Sequence, residues 1–192
     1  MIIFVEGKSD RDFLKIYLKY LNIDDQAYEI EIVGNGDGGK DNIINTKKIE
    51  KKMDKFLVIF DADDDHNASK DNIKKQIEKI NPNASYEVFL FPNDKETGCL
   101  EDIYKKIAIK NNFICCFKKY EECINKDLKE NEKVNLSAKS LLYAYLEACG
   151  LETNVDKIKI AELQKIFNFK DEYLTKLKDF LEKHCGSEKS QE

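Results

Sequence analysis

The chain contains the stretch Leu57-Val58-Ile59-Phe60-Asp61-Ala62-Asp63-Asp64-Asp65, in which four apolar residues are followed by a cluster of aspartates. Three of the apolar residues are β-branched or aromatic, a pattern typical of a strand that is buried on both faces. Asp61 and Asp63 are two positions apart, and in an extended backbone their side chains would point the same way. We therefore predict a buried strand that carries a pair of carboxylates at its C-terminal end.

These carboxylates predict a site for a divalent cation. Two carboxylates held a few ångströms apart repel each other, so one must be protonated or both must share a cation. Mg²⁺ suits such a strand end because it binds a few carboxylate oxygens and keeps several waters for a phosphate substrate. Asp65 is a further candidate ligand. The alternatives are a solvated acidic turn and a calcium loop, which His66 and Asn72 disfavour because that loop needs Gly and Glu at their positions.

Strand and helix patterns alternate four times through residues 1–110. Strands are predicted at residues 1–5, 27–33, 56–60 and 86–91, with helix caps at Ser9, Ser69 and Thr97 and a further helix start near Asp41. This alternation predicts an α/β fold, a Rossmann-like four-stranded parallel sheet with helices on both faces. Ligands of such sheets bind at the C-terminal ends of strands, where the strand order reverses. If strands one and three are neighbours, Glu6, Asp61 and Asp63 converge there.

The pattern from about residue 113 onward is helical only. Helices are predicted at residues 113–129, 137–149, 157–167 and 171–184. We expect an all-helical C-terminal extension over residues 111–186, packed on an α/β domain of residues 1–110, and a disordered tail over residues 187–192. No apolar run approaches the ~20 residues needed to span a membrane, and the N-terminus resembles a strand rather than a signal peptide. We therefore expect a cytoplasmic protein without a membrane partner.

Composition limits the classes of function. The chain has 192 residues, six cysteines and a formal net charge of −5. The cysteines form no CxxC pair, so we interpret them as reduced, small apolar residues. The acidic balance disfavours a general nucleic-acid binder. One local basic helix face is predicted, which is either solvated or contacts phosphate; its residues are Lys47, Lys48, Lys51, Lys52 and Lys55.

A glycine-rich loop precedes the second predicted helix. Residues 34–40 spell GNGDGGK, which fits the P-loop pattern G-x-x-x-x-G-K. Asp41 follows where a P-loop needs Ser or Thr to hold Mg²⁺, and Asp37 adds a second negative charge. We therefore favour a backbone turn beside the acidic site, whose amides, with Lys40, would contact a substrate phosphate.

Two motifs end strands one and three, namely Val5-Glu6-Gly7-Lys8-Ser9-Asp10 and Phe60-Asp61-Ala62-Asp63. Together they resemble the Toprim domain, which topoisomerases, bacterial primases and OLD-family nucleases share. The resemblance covers residues 1 to about 110. It implies Mg²⁺-dependent cleavage or transfer at nucleic-acid phosphodiesters.

A third segment resembles one subgroup of Toprim-like proteins. Thr97-Gly98-Cys99-Leu100-Glu101-Asp102-Ile103 resembles a Gly-x-Leu-Glu-Asp signature of small, uncharacterised Toprim-like proteins that are related to OLD-family nucleases. Those nucleases often work with an ABC-type ATPase in phage defence. The resemblance therefore implies an ATPase partner protein in addition to DNA or RNA, and a homodimer is a further expectation.

The leading hypothesis is a Mg²⁺-dependent nuclease, a hydrolase of phosphodiester bonds in which Mn²⁺ could substitute. Asp61 and Asp63 would bind the metal, Glu6 would be a ligand or the general base, and Lys40 would neutralise phosphate charge. Glu101, together with Asp102, is predicted to complete a second metal site, because the helix starting near Thr97 would begin beside the acidic cluster.

Two other hypotheses remain open. The chain could be a non-catalytic Toprim-like regulatory or interaction subunit, which the acidic net charge favours. It could also be a phosphatase of the Asp-x-Asp kind that forms an aspartyl-phosphate. Such enzymes place the pair on the first strand with Thr or Gly close behind, and Asp64-Asp65-His66 does not fit that pattern.

Overall fold

The computed structural model describes residues 1–50 and 55–186. Within them, a parallel sheet of four strands has the spatial order β2-β1-β3-β4. The strands are β1 (Ile2–Val5), β2 (Glu29–Ile32), β3 (Phe56–Asp61) and β4 (Tyr86–Phe91). The predicted α/β, Rossmann-like fold class is confirmed, with strand ends within about two residues of the predicted ones.

Helices connect and follow the strands. The α-helices are α1 (Lys8–Tyr20), α2 (Lys47–Glu50), α3 (His66–Ile80), α4 (Leu100–Ile107), α5 (Asn111–Asn125), α6 (Ala138–Ala148), α7 (Ile160–Leu163) and α8 (Thr175–Cys185). Short 3₁₀ turns occupy Asp25–Ala27, Gly34–Gly36, Lys40–Asn45, Glu130–Glu132, Val155–Lys157 and Glu172–Leu174. None of the helices in the described part of the chain is long and apolar enough to cross a membrane.

Strand alternation gives the sheet two apolar faces. Phe4 and Val58, which are register partners on β1 and β3, belong to a buried cluster with Ile73 of α3. On the opposite face, Phe91 lies 5.9 Å from the ring of Phe13 on α1, and Phe89 lies 5.3 Å from the ring of Phe180 on α8. Helices therefore cover both faces, as the apolar strands require.

The chain forms two compact units, and the first is discontinuous. One unit contains residues 1–100 and 171–186 of the described chain, and the other contains Glu101–Lys170. The predicted boundary near residue 110 therefore differs from the observed one at Leu100. The second unit is held together by aromatic contacts, since the ring of Phe167 lies 5.0 Å from that of Tyr104 and 5.4 Å from that of Tyr145. The predicted tail, residues 187–192, lies outside the described residues.

Two helix starts differ from those predicted because other side chains serve as caps. Helix α1 begins at Lys8, and the Asp10 carboxylate accepts a hydrogen bond from the Gly7 amide at 2.8 Å, so Ser9 lies inside the helix. Helix α3 begins at His66 because Asp65 Oδ1 accepts from the Ala68 amide at 2.9 Å. Ser69, the predicted cap, lies in the first turn of α3.

The segments after the glycine loop and around Thr97 also differ from prediction. Residues 40–45 form a 3₁₀ turn before the short α2, rather than a helix that starts near Asp41. Helix α4 begins at Leu100, whose amide donates to Asp61 Oδ1, and Gly98 pairs with Asp63 in an isolated antiparallel bridge, so Thr97 lies before the helix. Lys51 and Lys52 of the predicted basic face lie outside the described residues.

Candidate functional site

The C-terminal ends of β1 and β3 meet at one edge of the sheet. The two strands are parallel neighbours, with Val5 opposite Ile59 in the register. β2 lies on the far side of β1 and β4 on the far side of β3, so the connection after β1 and the connection after β3 leave this edge in opposite directions. This is the switch point that the sequence predicted. Glu6 follows β1 and Asp61 ends β3, so both emerge there.

Glu6 carries a carboxylate oxygen that lacks a partner. Its Oε2 atom is buried and has no hydrogen-bond partner among the described residues. Burial, and secondly the negative charge of Asp63, raise the pKa of Glu6 above its usual range, while the charge and backbone amide of Lys40 act in the opposite direction. A buried acceptor of this kind is a position where a cation or a donated proton would be stabilised.

Asp61 caps the N-terminus of helix α4. Its Oδ1 atom accepts a hydrogen bond from the Leu100 amide at 2.9 Å, at the first residue of α4. Helix N-termini leave amides without intrahelical partners, and a carboxylate is a favourable acceptor for them. Asp61 thus ties the end of β3 to the chain that follows β4.

Asp63 departs from the extended backbone that was predicted. Its φ angle is 51°, and its backbone exchanges hydrogen bonds with Gly98, at 2.9 Å for the Asp63 amide and 2.8 Å for the Gly98 amide. The inference that Asp61 and Asp63 point the same way because both are extended is therefore wrong. Their carboxylates have different partners, the Leu100 amide for Asp61 and Lys40 Nζ for Asp63.

Asp65, the third aspartate predicted as a ligand, lies at the beginning of α3. Its Oδ1 atom accepts the Ala68 amide, which is the usual role of an aspartate before a helix. The role of Asp65 as a metal ligand stays a prediction. Asp64 is exposed in the turn between β3 and α3.

The glycine loop is fitted against the end of β1. The φ angle of Gly38 is +76°, and a Cβ atom there would lie 2.8 Å from the backbone oxygen of Glu6, closer than real Cβ atoms come. The next amide, of Gly39, donates to the same Glu6 oxygen at 3.0 Å. Only glycine at position 38 lets the loop approach β1 this closely, and the approach brings Lys40 to the acidic edge.

The loop amides bind backbone acceptors of the protein itself. The amides of Gly36 and Gly38 donate to the Val33 oxygen at 3.3 and 3.0 Å, and the Asp37 amide donates to Gly34 at 3.3 Å. A P-loop instead points its amides at a phosphate. The expectation that these amides contact a substrate phosphate is therefore wrong, and the Lys40 side chain is the part of the motif that faces the acidic site.

Lys40 links the loop to β3 and α3. Its Nζ donates to Asp63 Oδ2 and, at 2.9 Å, to Ser69 Oγ. The Ser69 hydroxyl in turn donates to the Ala62 oxygen at 2.7 Å. On the backbone side, the Lys40 oxygen accepts from Gln76 Nε2 at 3.0 Å. Both ends of this residue are thus held by α3.

Ser69 and Gln76 were missed by the sequence reasoning. A signal was present, because polar residues recur at 69, 72 and 76, which places them on one face of α3. Asn72 contributes as well, since its amide donates to Asp41 Oδ1 at 3.0 Å. Helix propensity alone made Ser69 a predicted cap, whereas its hydroxyl orients a lysine from a distant loop.

The carboxylates at this edge are not gathered around a common point. Among the residues that the structure describes, no group of three or more His, Cys, Asp or Glu side chains could hold a metal ion. The donor chemistry still fits a hard divalent cation, because the available atoms are carboxylate oxygens and Glu6 Oε2 is buried without a partner. A positive charge already lies at Asp63, that of Lys40.

Glu101 and Asp102 belong to the second compact unit. Glu101 is buried, and Asp102 Oδ1 accepts from Lys105 Nζ at 2.9 Å, one turn along α4. The second metal site that was predicted from these residues stays a prediction.

The fold and the edge residues define a class of protein, an α/β protein whose parallel sheet carries acidic residues and a partly buried lysine at its switch point. Comparison with protein families identifies the family of this chain. The family DUF3226, described as a protein of unknown function, matches residues 1–186, and the chain belongs to it. No curated protein and no solved structure matches the chain.

Proposed function

We propose that this protein is a Toprim-like, Mg²⁺-dependent phosphodiesterase that cleaves DNA or RNA. The observation that supports this most directly is the adjacency of β1 and β3. It places Glu6 and the Asp61-Ala62-Asp63 segment at the same edge of the sheet. Two short motifs that lie 55 residues apart, at positions 6 and 61, thus end neighbouring strands.

The residues at this edge would divide the chemistry between them. Asp61 and Asp63 would hold the metal, with Glu6 as a further ligand or as the general base. The metal would supply an activated water and neutralise developing phosphate charge. Glu6 has a buried oxygen and a raised pKa, which suits a group that accepts a proton from an attacking water. Lys40 would place its ammonium group where a phosphate must approach the carboxylates.

The wider function is part of the same proposal. The net charge of −5 disfavours tight, unaided binding of nucleic acid. We therefore propose that the chain works within a complex, with an ABC-type ATPase as partner and phage defence as the setting. A cytoplasmic location and a homodimer belong to this proposal as well.

Cleavage of supercoiled plasmid tests the proposed activity. The wild-type chain should relax or linearise the plasmid with Mg²⁺ or Mn²⁺ and should be inactive in EDTA. Asp63→Asn removes a ligand and should lower the rate about 100-fold or more. Asp71→Asn removes the same charge from an exposed position of α3 and should have no effect. Equal cleavage in EDTA, or by the Asp63 variant, would contradict the proposal.

One observation favours a second candidate, a non-catalytic Toprim-like regulatory subunit. Asp61, Asp63 and Asp65 each already have a partner within the protein, namely the Leu100 amide, Lys40 and the Ala68 amide. For such a subunit, no metal should support cleavage. Binding to the ATPase partner, measured by calorimetry, should survive Asp61→Asn. Metal-dependent cleavage by the purified chain would exclude this candidate.

A further inference from the structure

The Lys40 ammonium occupies the place where a metal would bind Asp63. Resting on the proposed function, we infer that Lys40 is a built-in counter-ion of the site, held in position by Ser69, and that a divalent metal binds by displacing this ammonium from Asp63. Metal affinity is therefore set by competition with the protein's own cation.

Ser69 fixes the direction of the Lys40 side chain. A serine hydroxyl has one proton to donate, and Ser69 donates it to the Ala62 oxygen at 2.7 Å. Towards Lys40 the same oxygen can only accept, and the Lys40 ammonium donates to it at 2.9 Å. Ser69 is itself buried, with 6% of its surface exposed. The contact therefore holds the Lys40 side chain in one orientation, and Ser69 acts as a positioning residue.

Further contacts fix the position of the Lys40 backbone. Gly38 and Gly39 fit against the Glu6 oxygen, and Gln76 donates to the Lys40 oxygen at 3.0 Å. A surface lysine normally loses much side-chain entropy when it pairs with an acid, which makes such pairs weak. Lys40 is already ordered by these contacts, so its pairing with Asp63 costs less entropy.

Asp63 is more exposed to solvent than Lys40, as replacement of the ammonium by a metal ion requires. The Lys40 side chain is 17% exposed and the Asp63 side chain is 56% exposed. A hydrated ion therefore reaches Asp63 from solvent without opening the fold. A divalent ion attracts the carboxylate more strongly than an ammonium does, so it can replace Lys40 there. The displaced ammonium keeps its bond to Ser69 and remains beside the carboxylates.

Mn²⁺ titration followed by electron paramagnetic resonance tests this competition. Lys40→Met removes the charge and keeps a similar shape, and it should tighten Mn²⁺ affinity about tenfold or more. Lys40→Arg keeps the charge and should stay within about threefold of wild type. Lys74→Met removes a charge from an exposed position of α3, where the lysine lies 3.8 Å from Glu78, and serves as the matched control with an expected change under about twofold.

Variants of Ser69 test whether this residue positions Lys40. They also keep the inference testable if the Lys40→Met variant does not fold. Ser69→Ala should tighten Mn²⁺ affinity about threefold, because it loosens the competing ammonium. Ser69→Thr, which keeps the hydroxyl, should restore the wild-type value. Lys40→Gln, a second charge-neutral variant, should tighten affinity in the same direction as Lys40→Met. Circular dichroism verifies that each variant is folded.

The outcomes separate this inference from the proposed function. If Asp63→Asn abolishes Mn²⁺ binding while Lys40→Met and Lys40→Gln bind like wild type or more weakly, the metal site stands and the competition is overturned. If the folded Lys40→Met protein binds no Mn²⁺, then Asp63 is not part of a metal site even without the Lys40 ammonium. That result would overturn the proposed metal-dependent function as well as the inference. Mn²⁺ binding that appears only once Lys40 is neutralised would show that the metal does not displace the ammonium in the wild type, and it would overturn both the inference and the proposed function.

Discussion

At the scale of single residues, Glu6 is the least satisfied side chain of the candidate site. Its Oε2 atom is buried without a partner in the described part of the chain, and burial raises its pKa. Asp63 and Asp65, in contrast, accept hydrogen bonds from Lys40 and from the Ala68 amide. Locally unfavourable placements of this kind are expected at functional positions, where stability is sacrificed for binding or chemistry.

We predict that Glu6→Gln separates activity from stability. The variant keeps the shape of the side chain but loses the carboxylate, so cleavage in the plasmid assay should fall about 100-fold or more. Without metal, the melting temperature at pH 7 should rise slightly, by about 1–3 °C, because burial of an ionised carboxylate is removed. Differential scanning calorimetry provides the second measurement.

The pH dependence of this effect has a definite sign. The pKa of Glu6 is raised in the folded protein, so its contribution to stability is fully present below the unfolded pKa and is lost as the pH rises through the folded pKa. The melting temperatures of wild type and Glu6→Gln should therefore agree near pH 4 and separate towards pH 7. Full activity in the variant, or a lower melting temperature at pH 7, would contradict this assignment.

At the scale of elements, the glycine loop places Lys40 beside Asp63 at the edge of the sheet. Its amides are bound to the oxygens of Val33, Gly34 and Glu6, so its conformation is set by the protein rather than by a ligand. Gly34 is anchored as well, since its amide donates to Thr46 Oγ1 at 2.9 Å. The P-loop pattern and this loop share glycines for the same physical reason, positive φ and close backbone approach, but they differ in what is approached.

We predict that Gly38→Ala is much more destabilising than Gly150→Ala. Both glycines have a φ angle of +76°, so both substitutions carry the same backbone strain, about 1–2 kcal/mol. A Cβ at position 38 also meets the Glu6 oxygen at 2.8 Å, whereas nothing lies within 4 Å at position 150. The free energy of unfolding in urea should therefore fall by about 3 kcal/mol or more for Gly38→Ala and about 1–2 kcal/mol for Gly150→Ala.

Mn²⁺ titration of the same pair provides a functional control. Gly38→Ala should change Mn²⁺ affinity, because the loop must move away from β1 and Lys40 moves with it. Gly150→Ala lies in the other compact unit and should leave the affinity unchanged. Equal losses of stability in the two variants would mean that the loop can shift at no cost and that the close approach to Glu6 is not required.

At the scale of the whole molecule, the sheet unit is completed by the end of the chain. Helix α8 buries Leu177, Leu181 and Cys185, and its Phe180 packs on Phe89 of β4. Just before α8, the Tyr173 hydroxyl donates to Glu96 Oε2 at 2.9 Å. The segment from residue 171 onward therefore belongs with β4 and the loop that follows it, although about 70 residues separate them in sequence.

We predict that residues 1–110 alone do not form a stable domain. That fragment lacks α8 and would expose the apolar face around Phe89, so it should show no cooperative urea transition. A chain that joins residues 1–100 to 171–186 through about six Gly and Ser residues should unfold cooperatively, since such a linker spans up to ~20 Å and Tyr173 lies beside Glu96. Cooperative unfolding of the 1–110 fragment would show that α8 is dispensable.

The sequence by itself determined the strands, their direction and the edge at which the acidic residues emerge. Strand signals are local, because apolar β-branched and aromatic runs such as Leu57 to Phe60 must be buried wherever they lie. Strand–helix alternation then forces parallel pairing. The placement of Glu6 and Asp61 at the same edge follows from these two facts and was predicted correctly.

Only the tertiary structure decided which partner each polar side chain has. Asp61 binds the Leu100 amide, Asp63 binds Lys40, and Ser69 orients that lysine, and these pairs span 39, 23 and 29 residues. No local pattern encodes such contacts, since a carboxylate at a strand end suits a metal, a helix amide or an ammonium equally well. The same holds for α8, whose apolar stripe fits any exposed sheet face, and only the packing of Phe180 on Phe89 assigns it to the first unit.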